Sequence, residues 1–417
     1  MFRRLSLLLR IHFSLPRSPL SFCPPATRVG LLLLCLLLSL AGCRTEPAPD
    51  PLSDDDDSTG TDDDDSAAPD DDDTLLPDDD DSAVTDDDDS VDPDDDDDSA
   101  GAPSLGELCF SEIFDPAVPG PDYDQFGPTP GSHCLGTDHQ NIAAVERVVF
   151  LGDSVTVGSP PSLDEEFYRT QLTESLAVEF GLTVPPPPLL GLFGWPGVNW
   201  FDGIAWEGNE HFTSCAKWGA RVDDLAADNT QIADCIPVAE RSKQHLVVMT
   251  VGGNDIASLT QHGAEGVSTA ELWQQVDAWV QDFEDSIAML TDPVEFPVRP
   301  FVIVSNNFEF TDGTGDVNSC AAAGLSDFSG DQWDDPSAQW AMIIHVMEQY
   351  MRVAVQYEID MIFMLEHFCG HGYRRDDPAG ACYRGPDAEL WFDLTCIHPN
   401  PVGHSEIANM FLAVVQE

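Results

Sequence analysis

Six blocks of four aspartates begin at Asp54, Asp62, Asp70, Asp78, Asp86 and Asp94, a constant period of eight. A hydroxyl residue follows each of the first five (Ser58, Ser66, Thr74, Ser82, Ser90), and Asp98 intervenes before Ser99 after the sixth. Such a segment cannot bury enough apolar surface to offset chain entropy, and its charges repel one another. Residues 43–104 are therefore expected to form a disordered, extended Asp-rich stalk. At roughly 3 Å per residue it could reach on the order of 150 Å. A calcium loop would need alternating oxygen ligands and a glycine to close the turn, and consecutive aspartates without one favour the spacer instead. Any fold must lie beyond the stalk, in residues 105–417.

The whole chain of 417 residues carries 76 acids against 17 bases, a formal charge of −59. Only Lys217 and Lys243 are lysines. That balance excludes nucleic acid as the default partner and argues against docking on anionic lipid through a basic patch. The bases are not evenly spread. Residues 1–43 hold five arginines and no acid, and an apolar run of about 12 residues from Val29 to Leu40 has the length of a signal-peptide core rather than of a membrane span. The run ends in Leu40-Ala41-Gly42-Cys43, which resembles the lipobox of bacterial lipoproteins. That resemblance implies that residues 1–42 are a lipoprotein signal peptide and that Cys43 becomes a lipidated N-terminus anchored in a membrane. The alternative is an ordinary secretory signal with a chance cysteine. Arg44, in place of an aspartate, resembles lipoproteins sent to the outer membrane, so the expected location is the bacterial cell envelope, lipid-anchored and surface-exposed.

From residue 105 the composition is that of a folded domain. Arg147–Leu151, His245–Val251, Pro300–Val304 and Ile359–Leu365 have the short β-branched and aliphatic runs of buried strands. Helical patterns lie between them, at about 164–180, 270–291, 336–357 and 403–416, and Ser268 with Glu271 forms a capping-box signature. Strands separated by helices predict a three-layer α/β/α sandwich around a mainly parallel sheet. Eight cysteines remain in the domain, an even number that in an exported protein suggests disulfides. Proximity along the chain favours 109–134, 215–235 and 369–382, leaving 320–396. The run Glu366-His367-Phe368-Cys369-Gly370-His371 lacks a CxxC pair and is not taken as a zinc site.

In parallel α/β sheets ligands bind beyond the carboxyl ends of the strands, so the residues there carry the functional reading. The first strand runs into Gly152-Asp153-Ser154, the second into Gly252-Gly253-Asn254-Asp255, and near the C-terminus stand His398-Pro399-Asn400 and Gly403-His404. A serine, an amide donor and a histidine at different strand ends are the parts of nucleophilic acyl transfer. In this order and context they resemble the SGNH/GDSL hydrolase family. Gly152-Asp153-Ser154 is similar to its first block, Gly253-Asn254-Asp255 to its third and His398-Pro399-Asn400 to its fifth. Gly219 is the best match for the glycine of its second.

The resemblance spans roughly 147–416 and implies a flavodoxin-like fold and a serine esterase or lipase without metal or organic cofactor. It implies Ser154 as nucleophile, His398 as base, and the Ser154 and Gly219 amides with the Asn254 side chain as oxyanion donors. The family usually places an aspartate three residues before the histidine, where this chain has Thr395. Either Asp393 reaches His398 by another local turn, or a backbone carbonyl orients the ring. Asp153 and Asp255 are expected to hold their loops, and His404 to pack at the start of its helix. The insertion Val184–Trp206, with Pro185–Pro188 and the aromatics Phe193, Trp195, Trp200, Phe201 and Trp206, either forms an apolar wall for an acyl or aryl group or packs a long loop. Asn306-Asn307 is placed to line the pocket. The expected substrate is a small-molecule, lipid or polysaccharide ester. Acyl transfer to another acceptor, or a non-catalytic surface binding protein on the same fold, are the alternatives.

Overall fold

A computed structural model of the chain describes residues 103–111, 120–187, 194–226, 231–323, 333 and 335–417. The leader, Cys43, nearly all of the Asp-rich stalk, and Pro188 and Phe193 of the insertion lie outside these residues.

A small antiparallel hairpin, β2 (Val198–Asn199) and β3 (Ile204–Ala205), stands apart from the main sheet. That sheet has five parallel strands: β1 (Arg147–Gly152), β4 (Phe212–Ser214), β5 (His245–Thr250), β6 (Phe301–Ser305) and β7 (Asp360–Ile362). Their spatial order is β4-β1-β5-β6-β7. Counted within the sheet this is 2-1-3-4-5, the flavodoxin-like order, whose direction reverses between β1 and β5.

Helices cover both faces, which is why the central strands are apolar without alternation. Val148, Phe150, Leu246, Val248 and Ile303 face α3 (Tyr168–Phe180) and α10 (Pro401–Gln416), packing with Leu172, Leu176, Ile407 and Phe411. Val149, Leu151, Val247, Met249, Val302 and Val304 face α7 (Thr269–Thr291) and α8 (Pro336–Gln356), packing with Val276, Phe283, Ile287, Val346 and Tyr350. The short helices α1 (Leu105–Cys109), α4 (Asp223–Ala226) and α5 (Gln231–Cys235) lie on the second face. The three layers are those expected. The capping box of α7 forms, with Ser268 Oγ accepting from the Glu271 amide and Glu271 accepting from the Ser268 amide.

Three local differences have physical causes. Helix α3 starts at Tyr168 rather than near 164, because Leu163–Phe167 is spent on a turn closed by Glu166 accepting the Leu163 amide. The last strand is shorter than Ile359–Leu365: after Ile362 the chain enters α9 (Met364–Phe368). Its outer edge is covered by the segment at Gly136–Thr137, and buried Asp360 accepts hydrogen bonds from Thr137 Oγ1, the His139 amide and Gln140 Nε2. Edge strand β4 and helix α6 (Gly253–Ala264) had no sequence signal of their own. All four expected disulfides form, Cys109–Cys134, Cys215–Cys235, Cys320–Cys396 and Cys369–Cys382. Cys369 is thereby used, and among the described residues no group of three or more side chains is placed to hold a metal ion.

Candidate active site

The parallel register sets Gly152 opposite Thr250, so the turns after β1 and β5 emerge side by side at the reversal of strand order. Gly152 has φ +112°, and a Cβ there would lie 1.8 Å from the Thr250 carbonyl oxygen. Only glycine permits that conformation and that approach. Buried Gln231 holds the same residue, accepting from its amide at 2.8 Å and donating to its carbonyl at 3.1 Å. The chain then turns through Asp153, which caps α2 (Ser154–Val157) by accepting the Val155 amide. Asp153 also accepts from Thr250 Oγ1, which is bonded to Thr156 Oγ1 and through it to Tyr168 OH. One proton order satisfies this whole buried chain. Burial pushes the Asp153 carboxyl up to about 7.

The far end of α2 is held by a buried cation. Arg169 donates to the carbonyls of Thr156, Val157 and Pro196, and its guanidinium lies 4.2 Å from the Trp195 ring centroid. Ser154 thus sits on a short helix pinned at both ends, half-buried at the mouth of the sheet.

Gly219 lies in a loop fastened to the same place. Cys215 and Lys217 donate their amides to Phe150 and Gly152, the Trp218 indole donates to the Gly158 carbonyl, and Cys215–Cys235 ties the loop to α5. Gly219 has φ +77° and open space around it, so backbone conformation rather than crowding calls for glycine. Asn254, in the first turn of α6, donates one amide hydrogen to the Ala220 carbonyl at 2.8 Å, and Asp255 accepts the Val222 amide. The second and third motifs therefore brace each other, and the second N–H of Asn254 meets no acceptor among the described residues. Neither the Ser154 nor the Gly219 amide donates to an acceptor among the described residues.

His398 Nε2 lies 2.8 Å from Ser154 Oγ. On its other side Nδ1 lies 2.8 Å from Thr395 Oγ1, which is 2.6 Å from Asp393 Oδ1. The Thr395 amide donates to the same oxygen at 2.7 Å. Asp393 reaches His398 through the threonine hydroxyl rather than directly, and among the described residues no backbone carbonyl bonds Nδ1. Burial holds the His398 imidazole down at about 4 and pushes the Asp393 carboxyl up to about 6, an effect that the hydrogen bonds from Thr395 oppose.

The other expected residues divide. His404 packs between Phe167 and Tyr168 and accepts the Tyr168 amide. Asn306 does not line a pocket: it is buried, donating to Glu366 and Tyr123 OH and accepting the Leu365 amide, so it ties β6 to α9. Asn307 is buried as well. Of the insertion aromatics, Trp195 serves as the platform for Arg169, whereas Trp200 is 50% and Phe201 95% exposed at the tip of the β2–β3 hairpin. That hairpin borders the Gly219 loop: Ile204 bridges to Lys217, Trp218 donates its amide to Gly203, and the Trp200 and Trp218 rings meet edge to face at 5.5 Å. The residues missed from the sequence are Thr395, Gln231 and Arg169. A hydroxyl at the family's aspartate position was the one available signal, and it pointed to Thr395.

The sequence pattern of the GDSL-like lipase/acylhydrolase family matches residues 148–411. The chain belongs to this family. This GDSL hydrolase also resembles an extracellular lipase from Streptomyces rimosus at 17% identity, over 65% of this chain and 100% of that one, with TM-score 0.36. A lipolytic protein of the G-D-S-L family from Veillonella parvula is similar at 14% identity, over 65% of this chain and 98% of that one, with TM-score 0.35. No curated protein matches the chain.

Proposed function

We propose that this GDSL hydrolase is a carboxylic-ester hydrolase that works through an acyl-enzyme, displayed on a bacterial envelope by a lipid on Cys43 and the Asp-rich stalk. The observation that carries the chemistry is the 2.8 Å contact of Ser154 Oγ with His398 Nε2 at the reversal point of the sheet. Burial keeps His398 neutral at pH 7, so its Nε2 lone pair is free to take the serine proton. Ser154 Oγ attacks the ester carbonyl, and its proton passes to Nε2. The Ser154 and Gly219 amides and the free N–H of Asn254 receive the negative oxygen of the tetrahedral intermediate. The imidazolium then returns the proton to the leaving alcohol. Water repeats the sequence against the acyl-serine and releases the acid.

Support for an apolar group on the substrate comes from exposed Trp200 and Phe201 on the hairpin that the Trp218 amide of the Gly219 loop bonds at Gly203. The displaced aspartate, the one sequence feature favouring a non-catalytic binding protein, loses that force because His398 Nδ1 has a hydrogen-bond partner in Thr395. The test is hydrolysis of p-nitrophenyl esters of graded chain length. Turnover is expected in the wild type and is expected to disappear in a folded Ser154→Ala variant. Undiminished turnover in that variant would sink the assignment. Incorporation of labelled palmitate into the full-length chain, and its loss in Cys43→Ser, tests the anchor.

A further inference from the structure

We propose that Thr395 is the positioning residue of the base, a hydroxyl relay that holds His398 in its working tautomer and passes to it the support of Asp393. This rests on the hydrolase reading above and deepens it. Asp393 Oδ1 lies within hydrogen-bond distance of two donors from Thr395, the amide at 2.7 Å and the hydroxyl at 2.6 Å. The hydroxyl has a single proton. Once that is given to Asp393, its oxygen can only accept from His398 Nδ1, 2.8 Å away. Nδ1 therefore carries the imidazole hydrogen and Nε2 presents its lone pair to Ser154 Oγ. The opposite tautomer would leave Nδ1 facing an oxygen with no proton to offer.

During attack the serine proton moves to Nε2, the Nδ1 proton stays on nitrogen and the threonine proton stays on threonine. Nothing is transferred along the relay; it orients, and it stabilises the imidazolium. The loop is built to hold this arrangement. The Asp393 amide donates to the His398 carbonyl, Tyr373 OH donates to the Asp393 carbonyl at 2.6 Å, and Cys396 is cross-linked to Cys320. The titratable groups that interact electrostatically with the pair are His404 on α10, itself facing Arg169, and Tyr373, itself facing Arg375. None of them is altered in the variants below.

Three variants are compared with the wild type by kcat, KM and pH profile on a p-nitrophenyl ester. Thr395→Val keeps the shape and removes the relay, so kcat is expected to fall on the order of 100-fold or more with KM little changed. Thr395→Ser keeps a hydroxyl and is expected to stay within about tenfold of wild type. The double variant Asp393→Asn/Thr395→Asp keeps the charge count and moves the carboxylate against Nδ1. An opposite charge that close favours the imidazolium, so the acidic limb of kcat/KM should move up by about one pH unit or more. That shift is one a purely structural role would not produce, and it carries the test alone if the valine variant fails to fold. Wild-type kcat in folded Thr395→Val, or an unmoved limb in the double variant, overturns the relay while leaving the hydrolase reading intact. Absence of turnover in the wild type, together with no labelling by a fluorophosphonate, overturns the hydrolase reading and the relay with it.

Discussion

The two halves of the site are built by different means. Ser154 and Asn254 follow directly from β1 and β5, strands buried on both faces, and their turns are packed against each other, against Gln231 and against Arg169. His398 follows no strand. Its loop is held by a bridge between Phe392 and Pro399, by Asn400 bonding the Leu390 carbonyl, by Tyr373 and by Cys320–Cys396. Cys396 even adopts φ +74°, uncommon outside glycine. The nucleophile half is built on the carboxyl ends of strands buried on both faces, whereas the base half is a loop held from outside the sheet by Phe392 packed on Phe308 and Phe368, by polar contacts and by one cross-link. The first should fail only with the fold, and the second can fail while the fold stands.

The sharpest way to break that contrast is Gly152→Ala. A Cβ would strike the Thr250 carbonyl at 1.8 Å, in a backbone conformation reserved for glycine. Destabilisation of about 4 kcal/mol or more is expected, measured by urea denaturation. A midpoint near wild type would mean that the nucleophile half is not locked into the core. The base half is tested by Cys320→Ser/Cys396→Ser. Esterase activity should be lost on heating well before far-UV circular dichroism melts, whereas in the wild type the two losses coincide. Coincident losses in the variant would erase the distinction.

Two pH experiments have smaller expected effects. His398 is active when neutral, and burial lowers its pKa, so the acidic limb of kcat/KM should lie below the ordinary histidine value near 6.5. A limb above 7 in the pH–rate profile would contradict its burial as base. Asp153 has its pKa raised above the unfolded value, so folding requires proton uptake that becomes costlier as pH rises toward about 7. Asp153→Asn, whose side-chain oxygen can accept the same two bonds, should therefore raise Tm more at pH 8 than at pH 5. A gain equal at both pH values would mean that the carboxyl is not held protonated by burial.

Much of this was legible in the sequence for identifiable reasons. β1, β5 and β6 announce themselves because strands covered on both faces are continuously apolar. Three of the four disulfides join the pairs that proximity along the chain favours, and Cys320–Cys396 joins the two cysteines left over. Ser154, Asn254 and His398 lie where short motifs follow strands, and the structure brings Ser154 and His398 into contact. What escaped has weak local signals. β4 is three residues long and includes Thr213 and Ser214, and the end of β7 is missed because the apolar run continues through Phe363 and Met364 into α9. Helix α6 begins inside a glycine-rich motif that reads as a turn. Thr395 gives only a weak signal, because a hydroxyl three residues before a histidine is neither the acid nor the carbonyl that usually orients such a ring. A hydroxyl that accepts on one side and donates on the other becomes visible only when three atoms are placed at once.

The central claim is that Ser154 is a nucleophile activated by His398. Its most direct measurement is mass-spectrometric mapping of the adduct formed by a fluorophosphonate probe at neutral pH. A single adduct on the peptide containing Ser154, absent in His398→Ala, is the predicted result; a folded protein that takes up no probe, or takes it up elsewhere, would contradict it.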